Sequence, residues 1–165
     1  MADNALLFPA IIMNKAAIST IINCNVITLR YGLALSSEEA VELAETRAAA
    51  LRSNGRIEFG AGIINKLILK FCDSPFLSKH NYTATLNDLI ETFYYFKNET
   101  LDEVGDDELL SLMKKYFDHN CQGSIELLQH RELELLARNI RYGVRNYTDL
   151  SQDSEESIDE EDHYD

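Results

Sequence analysis

Ser36-Ser37-Glu38-Glu39-Ala40-Val41-Glu42-Leu43-Ala44-Glu45-Thr46-Arg47-Ala48-Ala49-Ala50-Leu51-Arg52-Ser53-Asn54-Gly55 carries a start, a stripe and a stop. Ser36 and Glu39 form a capping box. The Ser oxygen accepts a free N–H of the first turn, and the Glu carboxylate reaches back to the cap N–H. Val41, Ala44, Ala48 and Leu51 follow at three- and four-residue spacing, one face of a helix. Asn54-Gly55 tolerates the left-handed conformation that closes a helix.

The same reading extends in both directions. Ile11, Ile18 and Ile22 place a helix over about 10–23, after Pro9. Ile63, Ile64, Leu67, Ile68 and Phe71 make another, ending before Asp73-Ser74-Pro75. A third covers about 83–97 with Leu86, Leu89, Ile90, Phe93 and Tyr94. Asp106 is the expected cap of the next, whose apolar face is Leu109, Leu112, Met113, Tyr116 and Phe117. The last begins at Gly123-Ser124; its stripe breaks at His130-Arg131-Glu132 and resumes at Leu133, Leu136, Ala137, Ile140 and Val144, which implies two pieces or a kink.

The expected fold is therefore mainly α, a bundle of five or six helices forming one domain over 1–148. Val26–Arg30 is β-branched and Arg56–Phe59 alternates polar with apolar, so a minor two-stranded ribbon is also open to the chain.

Charge narrows the function. The chain of 165 residues carries 28 acids and 15 bases, a formal net charge of -13. Nine of those acids, and no Lys or Arg, lie in 149–165, leaving 19 acids against 15 bases before it. A segment so acidic and so poor in apolar residues cannot offset its ordering entropy and is expected to be disordered. Nowhere is there the basic field that phosphate backbones require, so no nucleic-acid partner is expected. No apolar run approaches the roughly 20 residues that span a bilayer, so no membrane partner is expected. Ala5–Met13 is apolar but follows Asp3 with no basic residue, which argues against a secretory signal. Cys24, Cys72 and Cys121 are odd in number and widely spaced, the pattern of reduced thiols in a cytoplasmic protein.

Chemistry-bearing motifs are few. There is no GxSxG, HExxH or P-loop, and no cofactor is expected. Asp118-His119-Asn120-Cys121-Gln122-Gly123 opens like the twelve-residue calcium loop of an EF-hand, with Asp118, Asn120 and Gln122 at the first, third and fifth positions. The loop over 118–129 then places Gln129 where calcium needs a bidentate carboxylate, so a helix–turn–helix corner is the better reading. Cys72 stands beside Asp73, which disfavours a thiolate. Phe93-Tyr94-Tyr95-Phe96 covers all sides of a helix. One reading buries it; the other makes Tyr94, Tyr95 and Phe96 a contact surface for another protein.

Arg56-Ile57-Glu58-Phe59-Gly60, Phe71-Cys72-Asp73-Ser74-Pro75, Tyr94-Tyr95-Phe96-Lys97-Asn98-Glu99, Asp106-Asp107-Glu108-Leu109 and Gln122-Gly123-Ser124 together resemble an uncharacterised family of small proteins from Gram-positive, mostly anaerobic bacteria. The resemblance covers about residues 8–140 and implies a cytosolic bacterial protein. It implies no activity, substrate or ligand.

The leading expectation is a non-enzymatic protein-interaction or accessory module. The alternative is an enzyme or small-ligand-binding protein whose site is assembled from Arg56, Glu58, Asp73, Lys97 and Glu99, which put both charge signs near turns and aromatic surface.

Overall fold

The structure is a computed structural model that describes residues 15–143. The start of the first helix and the acidic segment 149–165, with its expected disorder, lie outside the described residues. The elements in chain order are α1 (15–23), α2 (Asn25–Thr28), a 3-10 turn (Leu29–Tyr31), α3 (Ser37–Ser53), α4 (Ile64–Phe71), α5 (Tyr82–Glu99), α6 (Asp106–Lys115), a π-turn (Tyr116–Asn120), α7 (Ile125–Leu127), a second π-turn (Leu128–Glu132) and α8 (Leu133–Arg141). The mainly α architecture stands, and there is no strand among the described residues.

The ribbon expected from Val26–Arg30 and Arg56–Phe59 does not form. Side-chain hydrogen bonds override the β propensity of Val26-Ile27-Thr28. Asn25 grips Leu35 twice, donating to its carbonyl and accepting from its N–H, both at 2.8 Å. Thr28 Oγ1 donates to Leu33 O at 2.8 Å. These bonds hold the segment as a helical turn closed by left-handed Gly32. Arg56–Phe59 has no regular secondary structure and no strand beside it.

α3 forms as expected, with both halves of the capping box made. Its buried face differs from the expected one. Ala40, Leu43, Ala44, Arg47, Ala50 and Leu51 point inward, while Val41 is exposed. A charged residue inside the stripe hid the true phase, because Arg47 is buried for its polar contacts to Gly60 O and Glu58 rather than for its hydropathy, with its Nε left without a hydrogen bond.

α3 packs most extensively on α5, and the two run parallel. Glu39 accepts from Thr83, Asn87 bridges Thr46 and Glu42, and Asn98 donates to Asn54, so the pairings rise together along both helices. α4 lies between them in sequence and packs on both α5 and α6. Its Ile64, Leu67, Ile68 and Phe71 enter a single core with Leu86, Leu89, Ile90, Phe93, Leu109 and Met113. Burial on this scale is the main favourable term in the fold.

α6 begins at Asp106 with extended Gly105 in the cap position, not Asp106 as expected. Asp106 instead turns its carboxylate to Lys97, 2.8 Å away. The break expected at His130–Glu132 is the second π-turn. Leu128 and Leu133 are both fully buried and five residues apart. An α-helix cannot put that spacing on one face, whereas a wider π-turn can. Tyr116 and Cys121 repeat the pattern, with Cys121 N–H donating to Tyr116 O at 2.8 Å.

Candidate functional site

Two features of the surface stand out, and both are built around α5.

The first is the segment after α3. Asn54-Gly55 ends the helix, and Arg56–Phe59 follows without regular secondary structure, tied to α5 through Arg56 and Glu58. Its alternate residues face opposite ways. Arg56 donates from Nε to Asn98 Oδ1 at 2.6 Å and pairs with Asp102. Leu101 and Asp102, which bring that carboxylate into place, both have φ of 59°. Left-handed backbone in two successive non-glycine residues carries strain. Glu58 accepts from the Tyr94 hydroxyl at 2.7 Å and lies 3.6 Å from Arg47 Nε. Arg47 also donates from Nη1 to Gly60 O. Gly62 closes the node: its φ is +56°, and a Cβ there would sit 1.9 Å from Glu58 Oε1. Burial, then the Glu58 carboxylate, push the Tyr94 hydroxyl well above its usual range.

The other residues of the segment face water. Ile57 is 85% exposed and Phe59 is 76% exposed. Among the described residues, the backbones of Ile57, Glu58 and Phe59 make no hydrogen bond. Polar residues are thus held inward while apolar residues and a free backbone edge are presented outward, the inverse of ordinary surface patterning.

The second feature is an open cleft of about 690 Å³ between α3, α5 and the last helix. Ala49 and Ala50 on α3 leave room for it; Glu91 and Tyr95 come from α5, His130 from the second π-turn and Glu134 from α8. Thr92 and Gln129 also line it and are bonded to one another at 2.7 Å.

The residues expected to matter are distributed as follows. Of the aromatic run, Tyr94 and Phe96 are buried, Phe96 at the wall of the cleft, while Tyr95 is half-exposed there. Arg56 and Glu58 both serve the pinned segment. Lys97 pairs with Asp106, Glu99 with Arg141, and Asp73 with Lys114. The five charged residues are engaged in separate pairings rather than converging on one pocket.

The residues of the calcium-like loop are engaged with protein partners. Asp118 is covered by Lys114 and accepts from Ser74 Oγ at 2.6 Å, and Asn120 O accepts from Arg131 at 2.7 Å. Tyr116–Asn120 is a π-turn, and no group of three or more His, Cys, Asp or Glu among the described residues could hold a metal ion. Burial opposes the Lys114 charge, but hydrogen bonds to Asp118 and Asp73 outweigh it and raise its pKa. Gly123 turns the corner at φ +83°, with Phe76 Cβ 2.6 Å from where its own Cβ would be.

The cysteines are buried and free. Burial raises all three thiols, and Asp73 adds to the effect at Cys72, so none has the features of a nucleophile. No described helix is long and apolar enough to cross a membrane.

The convergence of Glu91, Gln129, His130 and Glu134 on one cleft is not visible in the sequence. The only available signal was the break in the last stripe, which marks the π-turn that carries two of them.

Fold and surface together define an all-helical protein with one pinned, apolar-tipped segment and one acid-walled cleft. The chain belongs to a family of unknown function, DUF6323, whose family model matches residues 20–146. No curated protein and no solved structure matches it.

Proposed function

We propose that this protein is a non-enzymatic cytoplasmic interaction module that binds an extended segment of another protein along Arg56–Phe59. The alternation of that segment carries the reading. Ile57 and Phe59 stand in solvent on a backbone with free hydrogen-bonding groups, while Arg47, Tyr94, Asn98 and Asp102 anchor the intervening residues. A partner strand laid beside it would gain main-chain hydrogen bonds, and its alternate apolar residues would cover Ile57 and Phe59. Pre-anchoring lowers the ordering cost of such a contact. The free, buried thiols support placing the protein in a reducing compartment.

The test uses three baits in lysate of the source organism: the full chain, a chain ending at Thr148, and the full chain with Ile57→Ser and Phe59→Ser. A stoichiometric partner held by the first two and lost from the third is expected. A partner that persists on the double variant, one that needs 149–165, or no partner on any bait would overturn the reading. Light scattering of the purified chain adds a further check. A dimer abolished by the double variant would make the occupant a second copy and refute a foreign partner.

A further inference from the structure

We infer that the cleft between α3, α5 and α8 binds a small organic cation, an ammonium or guanidinium group on a compact apolar body. The residues concerned differ from those of the pinned segment, so the inference stands apart from the proposed protein contact. Its volume, about 690 Å³, lies within the range of small-molecule sites.

The lining decides the ligand's charge. Glu91 and Glu134 bring carboxylates from two different helices, and no Lys or Arg lines the cleft. Among the described residues Glu91 has no ion pair. Glu134 has Arg141 Nη2 at 3.4 Å, while Nη1 of the same guanidinium is committed to Glu99. A solvent-facing pair of that length is weak and leaves Glu134 free to attract a second cation. An anion would meet two carboxylates, with His130 the one other titratable side chain in the lining apart from Tyr95. A neutral molecule would leave both carboxylates unused.

The remaining lining fits a cation with an apolar body. Tyr95, 50% exposed, stands one helical turn from Glu91 on the same face of α5, so ring and carboxylate can engage one ligand. Thr92 and Gln129 satisfy one another. Ala49 and Ala50 supply small apolar walls with room for a ring or a short alkyl chain.

Three probes of one shape and different charge test this on the full chain: benzylamine, benzyl alcohol and benzoate, each titrated and read by amide chemical shifts. Benzylamine is expected to move the amides of 91–96 and 129–134, with benzyl alcohol about tenfold weaker and benzoate silent. Glu91→Gln should weaken benzylamine by about threefold or more without changing benzyl alcohol. Tyr95→Leu should weaken benzylamine comparably. The inference is overturned if benzoate binds as well as benzylamine, or if neither Glu91→Gln nor Tyr95→Leu changes benzylamine. It is equally overturned if shifts are confined to 149–165, where the acidic segment would attract any amine, or if no probe moves the cleft amides.

Discussion

Two corners of the molecule solve one problem in opposite ways. The connection from α3 to α4 and the corner from α6 to α7 each turn at a left-handed glycine with no room for a side chain, Gly62 in one and Gly123 in the other. The second corner closes on apolar contacts. Phe76 and Phe117 meet edge to face at 6.2 Å and Phe71 and Phe117 at 5.5 Å, and the Lys114–Asp118–Asp73 cluster, with Lys114 and Asp118 largely covered, sits beside them. The first closes on polar contacts, Arg47 with Glu58 and Tyr94, and turns its apolar residues to water. A corner packed on rings is finished. A corner packed on charges leaves apolar surface to spare, and that surplus distinguishes a scaffold turn from a binding segment.

The largest expected effect comes from breaking the finished corner. Gly123→Val forces a branched side chain into Phe76 and a left-handed backbone at once, and should cost about 3 kcal/mol or more in a urea melt followed by circular dichroism. The pinned corner should yield less. Arg47→Met keeps the stem and removes the guanidinium, leaving Gly60 O and Glu58 without their partner. A loss of about 2 kcal/mol is expected, moderated because Glu58 retains Tyr94 and some water. An intact melt in that variant would show the polar node to be incidental.

Alkaline pH separates the corners more finely. The Tyr94 hydroxyl is raised from a usual 10.0 by burial and by Glu58, and Tyr82 is raised by burial to about 12. A folded pKa above the unfolded one stabilises fully below the unfolded value and is lost as pH climbs through the folded value. Burial raises the three thiols from 9.0 in the same sense, so melting temperature should hold up to about pH 9 and decline above it, and Tyr94→Phe should make the decline above about pH 10 shallower. Lys114, raised from 10.5, acts in the same direction from the other corner, so its substitution should flatten a later part of the same curve. The smallest effect is expected from Ile57→Ser with Phe59→Ser, within about 0.5 kcal/mol of the parent, because these side chains bury little in the isolated protein. A marked loss would mean that they pack internally and would remove the contrast.

Much of the helical frame was legible in the sequence because its signals are local. The Ser36–Glu39 box, the Ile63–Phe71 stripe and the break at His130–Glu132 each lie within one or two turns of chain. The missed features depend on distant partners. Val26-Ile27-Thr28 reads as a strand until Asn25 and Thr28 find Leu35 and Leu33. Arg56–Phe59 alternates as a strand would, but its period serves Asn98 and Tyr94, some forty residues away, rather than a neighbouring strand. The buried phase of α3 was obscured by Arg47, whose role depends on Glu58 and Gly60. The cleft was not legible, since its lining comes from three helices and no single stretch of sequence brings Glu91 near Glu134.

The second π-turn has a further consequence. Relative to a uniform α-helix it is one inserted residue, so losing any one residue between Leu128 and Glu132 would heal the backbone ladder without disturbing either flank locally. The healed helix would be shorter by about 1.5 Å, and Leu128 and Leu133, then four residues apart, would still share a face. The π-turn therefore adds one residue to the helix without turning either flank, and the widened turn that brings Gln129 and His130 to the cleft is what a single codon deletion would remove.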